Sequence, residues 1–301
     1  MPPAPVTTFA GTWRPYQQLA LAAFEADRAA SRLQSFIVCP PGAGKTLIGW
    51  EAIARIGAPA LVLVPGRTVQ EQWRQAAVQF GATQQLTDSL EADPRQVTVL
   101  TYQSLCSTDA QDVLGELAHR QVATEVAALR GLDPHDALHQ VAQDADYPDR
   151  LRAARRALTV RATRGEIADL EIRQVLSGAA RARLQALREA GIGCVVLDEC
   201  HHLSGLWGRV VRHVLEELGQ PHVVALTATP DWYPSRTEKE LLDALHGPVD
   251  FQVPTPAVVR DGYLAPYLTL AAFCAPTPDE LATLRLQDES LRDLINDVLL
   301  F

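Results

Sequence analysis

The chain has 301 residues, of which 47% are hydrophobic and 21% are charged, and it carries a net charge of −9 at pH 7. This length predicts about two domains that each bury a core, and this composition excludes a disordered or fibrous protein. The chain has no apolar run of about 18 residues and no basic, apolar leader at its start, so we expect a cytoplasmic protein without a membrane partner. The acidic charge restricts any nucleic-acid contact to a local patch.

The first 80 residues alternate between predicted helices and strands. Apolar residues at helical spacing predict a helix over 16–30, and the run 35–39 predicts a short strand. A glycine-rich turn at 40–46 follows, and we expect a helix from there to about residue 56. The continuous apolar run 60–64 is typical of a strand buried on both faces of a parallel sheet, and a helix is predicted over 68–80.

Three further apolar runs predict strands at 97–101, 194–198 and 223–227, and each run ends on a polar residue. Strands that alternate with helices indicate an α/β fold in which helices flank a parallel sheet. Ligands of such sheets bind beyond the carboxyl ends of the strands. We therefore expect the functional residues to gather at that edge.

Residues 107–190 interrupt the alternation and predict a long helical insertion. Residues 107–149 contain nine acidic and two basic residues, whereas residues 150–188 contain ten arginines and three acidic residues. One interpretation is a helical hairpin whose oppositely charged halves pair with each other and with solvent. The other is an arm that binds phosphates. The arginines of that arm would be Arg150, Arg152, Arg155, Arg156, Arg161 and Arg164.

The turn at 40–46 has the residues of a phosphate-binding loop, in which backbone N–H groups and a helix N-terminus surround nucleotide phosphates. We expect Lys45 to reach the β- and γ-phosphates of a nucleotide and Thr46 to hold Mg²⁺. The strict pattern GxxxxGK[ST] has a glycine where this chain has Cys39, so a plain glycine turn is the alternative. The predicted nucleotide-binding residues of the loop are Pro41, Gly42, Ala43, Gly44, Lys45 and Thr46.

A run of polar residues, Asp198-Glu199-Cys200-His201-His202, follows the predicted strand over 194–197. Asp198 is predicted to hold Mg²⁺, and Glu199 to orient and deprotonate an attacking water, so the predicted catalytic residues are Glu199, Lys45 and Asp198. The alternatives are an ordinary loop and a zinc site formed by Cys200 and the two histidines. Consecutive residues rarely converge on one ion, and the five cysteines form no CxxC pair that could complete such a site.

Together with Leu226-Thr227-Ala228-Thr229-Pro230, these two groups resemble the ordered motifs of superfamily 2 helicases and translocases in a DExH form. Residues 13–17, 63–73, 101–105 and 261–267 resemble further motifs of the family, the last of them from members of the DNA-repair or restriction and defence type. The resemblance covers about residues 12–105 and 191–267. It implies a RecA-like domain that binds ATP and Mg²⁺ and contacts a nucleic-acid backbone, with DNA favoured over RNA.

The resemblance also implies roles for residues outside the loop. Gln17 would read adenine with Arg14 beside it. The residues that couple the ATP site to strand movement would be His201, His202, Thr227 and Thr229. The residues that contact nucleic-acid backbone would be Arg67, Thr68, Gln72, Thr101 and Tyr102. The alternatives are a simple strand end with its turn and a capped helix with a solvated face. For Trp73 and Trp207 we favour packing over base stacking.

These motifs divide the chain into four parts. Residues 1–106 and 191–250 form the RecA-like domain, residues 107–190 the insertion, and residues 251–301 a linker with the start of a second domain. The second RecA-like domain of a superfamily 2 motor supplies an arginine finger worth about 10³–10⁵ in rate, and we find none after residue 267.

We therefore expect the N-terminal ATPase lobe of an ATP-dependent DNA helicase or translocase, weakly active alone. A second RecA-like domain, in the same longer chain or in a partner subunit, would complete the ATP site. The alternative is a nucleotide-gated module that binds DNA or protein without processive motion.

Overall fold

The computed structural model describes residues 6–83, 86–87, 96–105, 113–163, 176, 178–203, 205–230, 236–268, 277 and 280. The chain divides into two compact units, Met1–Leu264 and Ala265–Phe301. All strands and helices named below belong to the first unit.

A seven-stranded sheet forms the centre of this unit. Its strands are β1 (Gln34–Val38), β2 (Ala60–Val64), β3 (Leu86–Thr87), β4 (Val97–Thr101), β5 (Cys194–Asp198), β6 (His222–Thr227) and β7 (Val249–Gln252). They lie in the order β3-β4-β2-β5-β6-β1-β7, and every neighbouring pair is parallel. The fold is therefore the predicted RecA-like α/β sheet.

Helices cover both faces of the sheet. They are α1 (Pro15–Ala29), α2 (Lys45–Ile56), α3 (Arg67–Ala76), α4 (Tyr102–Leu105), α5 (Val113–Arg130), α6 (Pro134–Val141), α7 (Tyr147–Thr163), α8 (Gly178–Glu189), α9 (Gly205–Glu217), α10 (Arg236–His246) and α11 (Thr255–Arg260). The helix predicted over 68–80 ends in a 3₁₀ turn, Ala77–Phe80. Within the described ranges, no helix has the length and apolar character needed to cross a membrane.

Alternate residues of the strands point to opposite sides of the sheet, and both sides are apolar. Ile37 and Val62 pack with α1, α2 and α3 on one side. Phe36 and Leu63 pack with the helices of the other side. Because both faces are covered, a central strand such as β2 is buried throughout and has no polar face.

The helices of the predicted insertion share the core of the second face. Val122 of α5, Val141 of α6, Leu158 of α7 and Leu187 of α8 are buried in the same cluster as Phe36 of β1. Apolar side chains at helical spacing on these helices thus complete the core above the sheet. This part of the chain lies within the first compact unit.

Ion pairs within the insertion join residues that are close in sequence or that both lie in its acidic part, so they do not decide between the two interpretations of its charge pattern. Arg150 lies 2.6 Å from Asp146, and Arg152 pairs with Asp149 on the same helix. Arg130 of α5 lies 2.7 Å from Asp144. Arg164, the last arginine of the predicted arm, lies outside the described residues.

The first unit continues past residue 250, where the sequence predicted the end of the RecA-like domain. β7 pairs with β1, and Val258 of α11 is completely buried in the core of the first face. Pro254 precedes α11 as its N-cap, and Pro256 lies in its first turn, where a missing N–H costs nothing. These prolines therefore begin a helix, and the residues assigned to a linker contain a strand and a helix of the first unit.

Buried histidines predict that the fold loses stability in mild acid. Burial is the main cause that lowers the pKa of His246, whose ring centroid lies 4.0 Å from that of Phe36. Because the folded pKa lies below the unfolded value of about 6.5, the unfolded chain binds the extra proton, and the free energy of unfolding falls as the pH drops below that value. Thermal unfolding followed between about pH 7.5 and about pH 5.5 should show a smaller fall in Tm for His246→Gln than for the parent chain.

A matched control is the buried Leu245 on the same helix, since Leu245→Ala removes no titratable group and should keep the full pH dependence. Equal slopes for His246→Gln and the parent chain would contradict this account of His246.

Candidate nucleotide-binding site

The predicted phosphate loop connects β1 to α2, and its glycines are required by its shape. Gly42 and Gly44 have φ angles of +76° and +85°, in the left-handed region, and Gly44 is the N-cap of α2. A Cβ at Gly44 would lie 2.6 Å from Nε2 of Gln17. Among the described residues, no backbone carbonyl accepts a hydrogen bond from the amides of Gly42, Gly44, Lys45 and Thr46. The loop thus offers N–H donors at the positive end of a helix, as a phosphate site requires.

Cys39 occupies the position at which the strict pattern has glycine, and it contacts Thr227 and Lys45 through its backbone. Its amide donates to the carbonyl of Thr227 at 3.0 Å, and its carbonyl accepts from Nζ of Lys45 at 3.3 Å. The thiol is buried, and burial raises its pKa to about 12. The departure from the strict pattern therefore leaves Lys45 in place.

Lys45 and Glu199 face each other at the carboxyl edge of the sheet. Nζ of Lys45 lies 3.4 Å from Oε1 of Glu199. Glu199 has a φ angle of +52°, which is costly for a residue with a side chain, and this conformation turns the chain directly after β5. The structure thus brings together two of the predicted catalytic residues, from loops more than 150 positions apart in sequence.

Asp198, the last residue of β5, is buried, and each of its oxygens has a donor. The indole Nε1 of Trp73 donates to Oδ2 at 2.7 Å, and the amide of Glu199 donates to Oδ1 at 3.0 Å. The hydroxyl of Tyr102 donates to the main-chain oxygen at 2.9 Å. Burial raises the pKa of Asp198, and the Trp73 hydrogen bond opposes that rise. The carboxylate is therefore desolvated and held by neutral donors.

This environment fits a divalent cation. Burial removes the water that would stabilise the charged carboxylate, and a bound cation would stabilise it instead. Mg²⁺ commonly uses one or two carboxylates together with waters and nucleotide phosphates. Asp198 and Thr46, at the second position of α2, are the residues that would hold it. Cys200 is buried, and the described residues contain no group of three or more His, Cys, Asp and Glu side chains that could hold a metal.

The start of α1 lies against the phosphate loop. Gln17 donates from Nε2 to the carbonyl of Ala43 at 2.9 Å and accepts at Oε1 from the amide of Arg14. The hydroxyl of Tyr16 donates to the same carbonyl and accepts from Arg14 Nη1. The guanidinium of Arg14 lies 5.2 Å from the ring centroid of Tyr263. Gln17 and Arg14 thus lie beside the loop, as predicted, and their contact with a base stays a prediction.

The DExH turn is joined to the next strand through His201. Its Nδ1 lies 2.8 Å from Oγ1 of Thr227, which also accepts from the amide of Thr229 at 3.2 Å. Burial and the neighbouring His202 lower the pKa of His201, which favours the neutral ring. His202 packs on that ring, with centroids 4.2 Å apart, and is itself exposed. Of the two predicted coupling histidines, His201 makes the connection.

Most of the predicted nucleic-acid residues lie on the surface near the start of α3. Arg67, Thr68 and Gln72 are exposed, and Arg67 and Thr101 line a cavity of about 460 Å³. Tyr102 is the exception. It is 5% exposed, its hydroxyl is bonded to Asp198, and burial raises its pKa well above the usual value. Its side chain therefore contacts the interior of the site, and not the surface where a nucleic acid would bind.

The structure adds residues to the candidate site that the sequence did not identify. Trp73 is completely buried, as the packing interpretation predicts, yet its indole also bonds Asp198. Tyr16 and Tyr263 were likewise not among the predicted site residues. A buried indole N–H or phenol hydroxyl requires a hydrogen-bond partner, and this requirement was the one signal in the sequence. The sequence does not say which residue the partner is. Trp207 packs against the core, which confirms that prediction.

Comparison with known proteins assigns these motifs to one family. The model of the family described as "Type III restriction enzyme, res subunit" matches residues 10–232, which is more than half of the chain. The chain belongs to this family. The matched range includes the phosphate loop, the DExH turn (residues 198–202) and the turn that begins at Thr227. The match confirms the resemblance to the first RecA-like domain of superfamily 2 helicases.

Several curated relatives of this res-subunit family member are helicases by name. The putative DNA 3'-5' helicase Rad25 of Halobacterium salinarum is 40% identical over 98 residues, which are 30% of this chain and 15% of that protein. The DNA 3'-5' helicase XPB of Mycobacterium tuberculosis is 35% identical over 99 residues, 31% of this chain and 17% of that protein. The DNA repair helicase/translocase XPB-R of Trypanosoma brucei brucei is 36% identical over 86 residues, 28% of this chain and 11% of that protein.

The chain thus spans only a small part of the length of these relatives. Among solved structures, the UvsW helicase from bacteriophage T4 aligns with a TM-score of 0.42 at 12% identity, over 82% of this chain and 64% of that chain.

The loop geometry predicts a specific defect for Gly44→Ala. An alanine there combines a left-handed φ angle, which costs about 1–2 kcal/mol, with a Cβ that displaces the Gln17 amide. The matched control is Gly57→Ala at the other end of α2, which has a φ angle of +69° and no atom nearer than 4.0 Å to the new Cβ. Both variants should unfold at a lower temperature than the parent chain. Only Gly44→Ala should lose affinity for a fluorescent ATP analogue, and equal affinities would contradict the role of the loop.

Proposed function

We propose that this chain contains the first ATP-binding and ATP-hydrolysing lobe of a DNA helicase or translocase. The observation that carries the proposal is the convergence of Lys45, Glu199 and Asp198 beside a phosphate loop, in a member of a helicase-related family. Its named relatives are DNA helicases, which favours a motor over the nucleotide-gated binding module and favours DNA over RNA.

In this proposal each residue has one task. The loop amides and Lys45 bind the phosphates, and Lys45 neutralises charge on the phosphoryl oxygens. Glu199 orients the attacking water, in line with the bond from the γ-phosphorus to the departing ADP, and accepts the proton of that water. Mg²⁺, when bound by Asp198 and Thr46, would offset the charge that develops on the phosphates. Gln17 and Arg14 recognise the base.

The pairing of Lys45 with Glu199 gives the site a resting state. A phosphate that binds Lys45 competes with the Glu199 carboxylate for Nζ, so Glu199 is released when the site fills. The hydrogen bond of His201 to Thr227 lies next to this pair, since Nδ1 of His201 is 3.5 Å from Oε2 of Glu199. A movement of Glu199 therefore has a path through His201 to Thr227 and Thr229, which supports their predicted coupling role.

The exposed residues at the start of α3 would bind the nucleic-acid backbone. Arg67, Thr68 and Gln72 can donate to phosphates without reading the base sequence, and Thr101 lies in the same cavity as Arg67. Full turnover in this proposal needs a second RecA-like domain with an arginine finger, worth about 10³–10⁵ in rate. The isolated chain should therefore bind ATP well and hydrolyse it slowly.

The two lysines of the chain provide a direct test of the ATP site. Lys45→Ala should abolish ATP binding and any Mg²⁺-dependent hydrolysis, because it removes the cation that contacts the phosphates. Lys239→Ala should change neither, since Lys239 is exposed and pairs with Asp243 one turn away on α10. Glu199→Gln should keep ATP binding and lose hydrolysis, since the amide cannot accept the proton.

Release of phosphate by the 301-residue chain, measured with and without duplex DNA, distinguishes the two functions. Turnover stimulated by DNA and lost in Lys45→Ala supports the motor. ATP binding that alters DNA affinity without any turnover, even when the second domain is supplied, would favour the nucleotide-gated module.

DNA binding should depend on the face of α3. Arg67→Ala should weaken binding to duplex DNA and reduce the slope of log affinity against log salt concentration by about 0.9, because one phosphate contact is lost. Arg152→Ala on α7 is the comparison, since Arg152 is an exposed arginine that pairs with Asp149. Fluorescence anisotropy at several salt concentrations measures both slopes. A reduced slope for Arg152→Ala alone would overturn this placement and support the phosphate-binding arm.

A further inference from the structure

Two segments proposed to bind DNA each place an aromatic side chain on Asp198. On α3, the exposed Gln72 is followed directly by the buried Trp73, whose indole bonds Oδ2 of Asp198 at 2.7 Å. At the end of β4, Thr101 is followed directly by the buried Tyr102, whose hydroxyl bonds the main-chain oxygen of Asp198 at 2.9 Å. In each segment, therefore, a residue proposed to contact DNA is followed directly by an aromatic residue that contacts Asp198.

The place of Trp73 is built by the surrounding helices. A Cβ at Gly49 of α2 would lie 2.4 Å from Cη2 of Trp73, so this glycine makes room for the indole ring. The indole of Trp50, also on α2, donates to the backbone carbonyl of Trp73 at 3.1 Å. Trp73 is thus wedged between the helix that follows the phosphate loop and the carboxylate at the end of β5.

We infer that Trp73 and Tyr102 are positioning residues through which a nucleic-acid contact on α3 and at the end of β4 reaches Asp198. The inference rests on the proposed function, because it assigns a purpose to Asp198 and to the exposed residues beside the two aromatics. Trp73 acts by holding the carboxylate that would bind Mg²⁺, and Tyr102 acts by holding the backbone of the same residue.

The physical reason is that, among the described residues, Trp73 is the hydrogen-bond donor to Oδ2 of the buried Asp198. Asp198 is 3% exposed, so water cannot readily replace a donor that moves away. A hydrogen bond to a charged group inside a protein depends steeply on distance and angle. A small shift of α3 that accompanies DNA binding therefore changes how Oδ2 is held. Groups that orient a metal ligand typically alter metal affinity by about 10- to 100-fold when removed.

The first experiment compares two tryptophans that both pack on the core of the fold. Trp73→Phe removes the indole donor to Asp198, whereas Trp207→Phe changes a tryptophan that packs on the core of the other face of the sheet. Binding of a fluorescent ATP analogue is titrated with Mg²⁺. Trp73→Phe should raise the Mg²⁺ concentration at half-saturation about tenfold and leave binding without Mg²⁺ unchanged. Trp207→Phe should leave both quantities as in the parent chain.

The second experiment needs no change at the site. In protein labelled with ¹⁵N-tryptophan, the indole signal that is missing in Trp73→Phe belongs to Trp73. Addition of duplex DNA without nucleotide should shift this signal, and Arg67→Ala should reduce the shift at equal DNA saturation. Tyr102→Phe removes the other donor and keeps its ring, so it should lower the ratio of nucleotide turnover with DNA to turnover without DNA.

The outcomes separate the inference from the proposed function. A parent chain that binds neither the nucleotide nor DNA overturns the proposed function and the inference with it. A parent chain that binds both, with identical Mg²⁺ dependence in Trp73→Phe and Trp207→Phe, overturns the inference alone. A Trp73 indole signal that stays fixed while bound DNA shifts other signals also overturns it, and this result stands even if Trp73→Phe proves unstable.

Discussion

The parallel register of the central strands places the candidate site. β1 and β5 both pair with β6, with Val38 opposite Thr227 and Asp198 opposite Leu226, so all three strands end at one level. The chain that leaves each strand must therefore enter the same small volume. The phosphate loop, the DExH turn and the Thr227 turn meet for this reason. Their convergence follows from backbone hydrogen bonding and needs no attraction between the side chains themselves.

Within that volume the two carboxylates have opposite surroundings. Asp198 is buried against neutral donors, and burial raises its pKa, which leaves it in need of positive charge. Glu199 is partly exposed and already pairs with Lys45. Two adjacent carboxylates can therefore carry the two different tasks that the proposed function assigns to them. The left-handed backbone of Glu199 separates them by turning the second side chain away from the first.

The sequence was sufficient to predict those strands in which successive residues have the same apolar surroundings. Strands buried on both faces are continuous apolar runs, and β2, β4 and β5 begin and end where those runs do. β7 was missed because it is a half-buried edge strand, and its Asp250 is held by Arg32 at 3.2 Å across more than 200 residues. Tyr102 was predicted to lie on the surface, but its side chain is buried. The acceptor of its hydroxyl is 96 residues away in sequence, so the sequence could not show this contact. Such pairings depend on tertiary structure.

The helical insertion is tied to the same site despite its distance in sequence. Arg183 of α8 donates to the carbonyl of Ser104 at 3.0 Å, at the end of the short helix that begins with Tyr102. Ser104 also lines the cavity with Arg67, so one wall of that cavity is held from the insertion side. Because α8 packs into the sheet core through Leu187, this wall is fixed to the scaffold that positions Asp198. The insertion therefore bears on the geometry of the proposed nucleic-acid face through this contact.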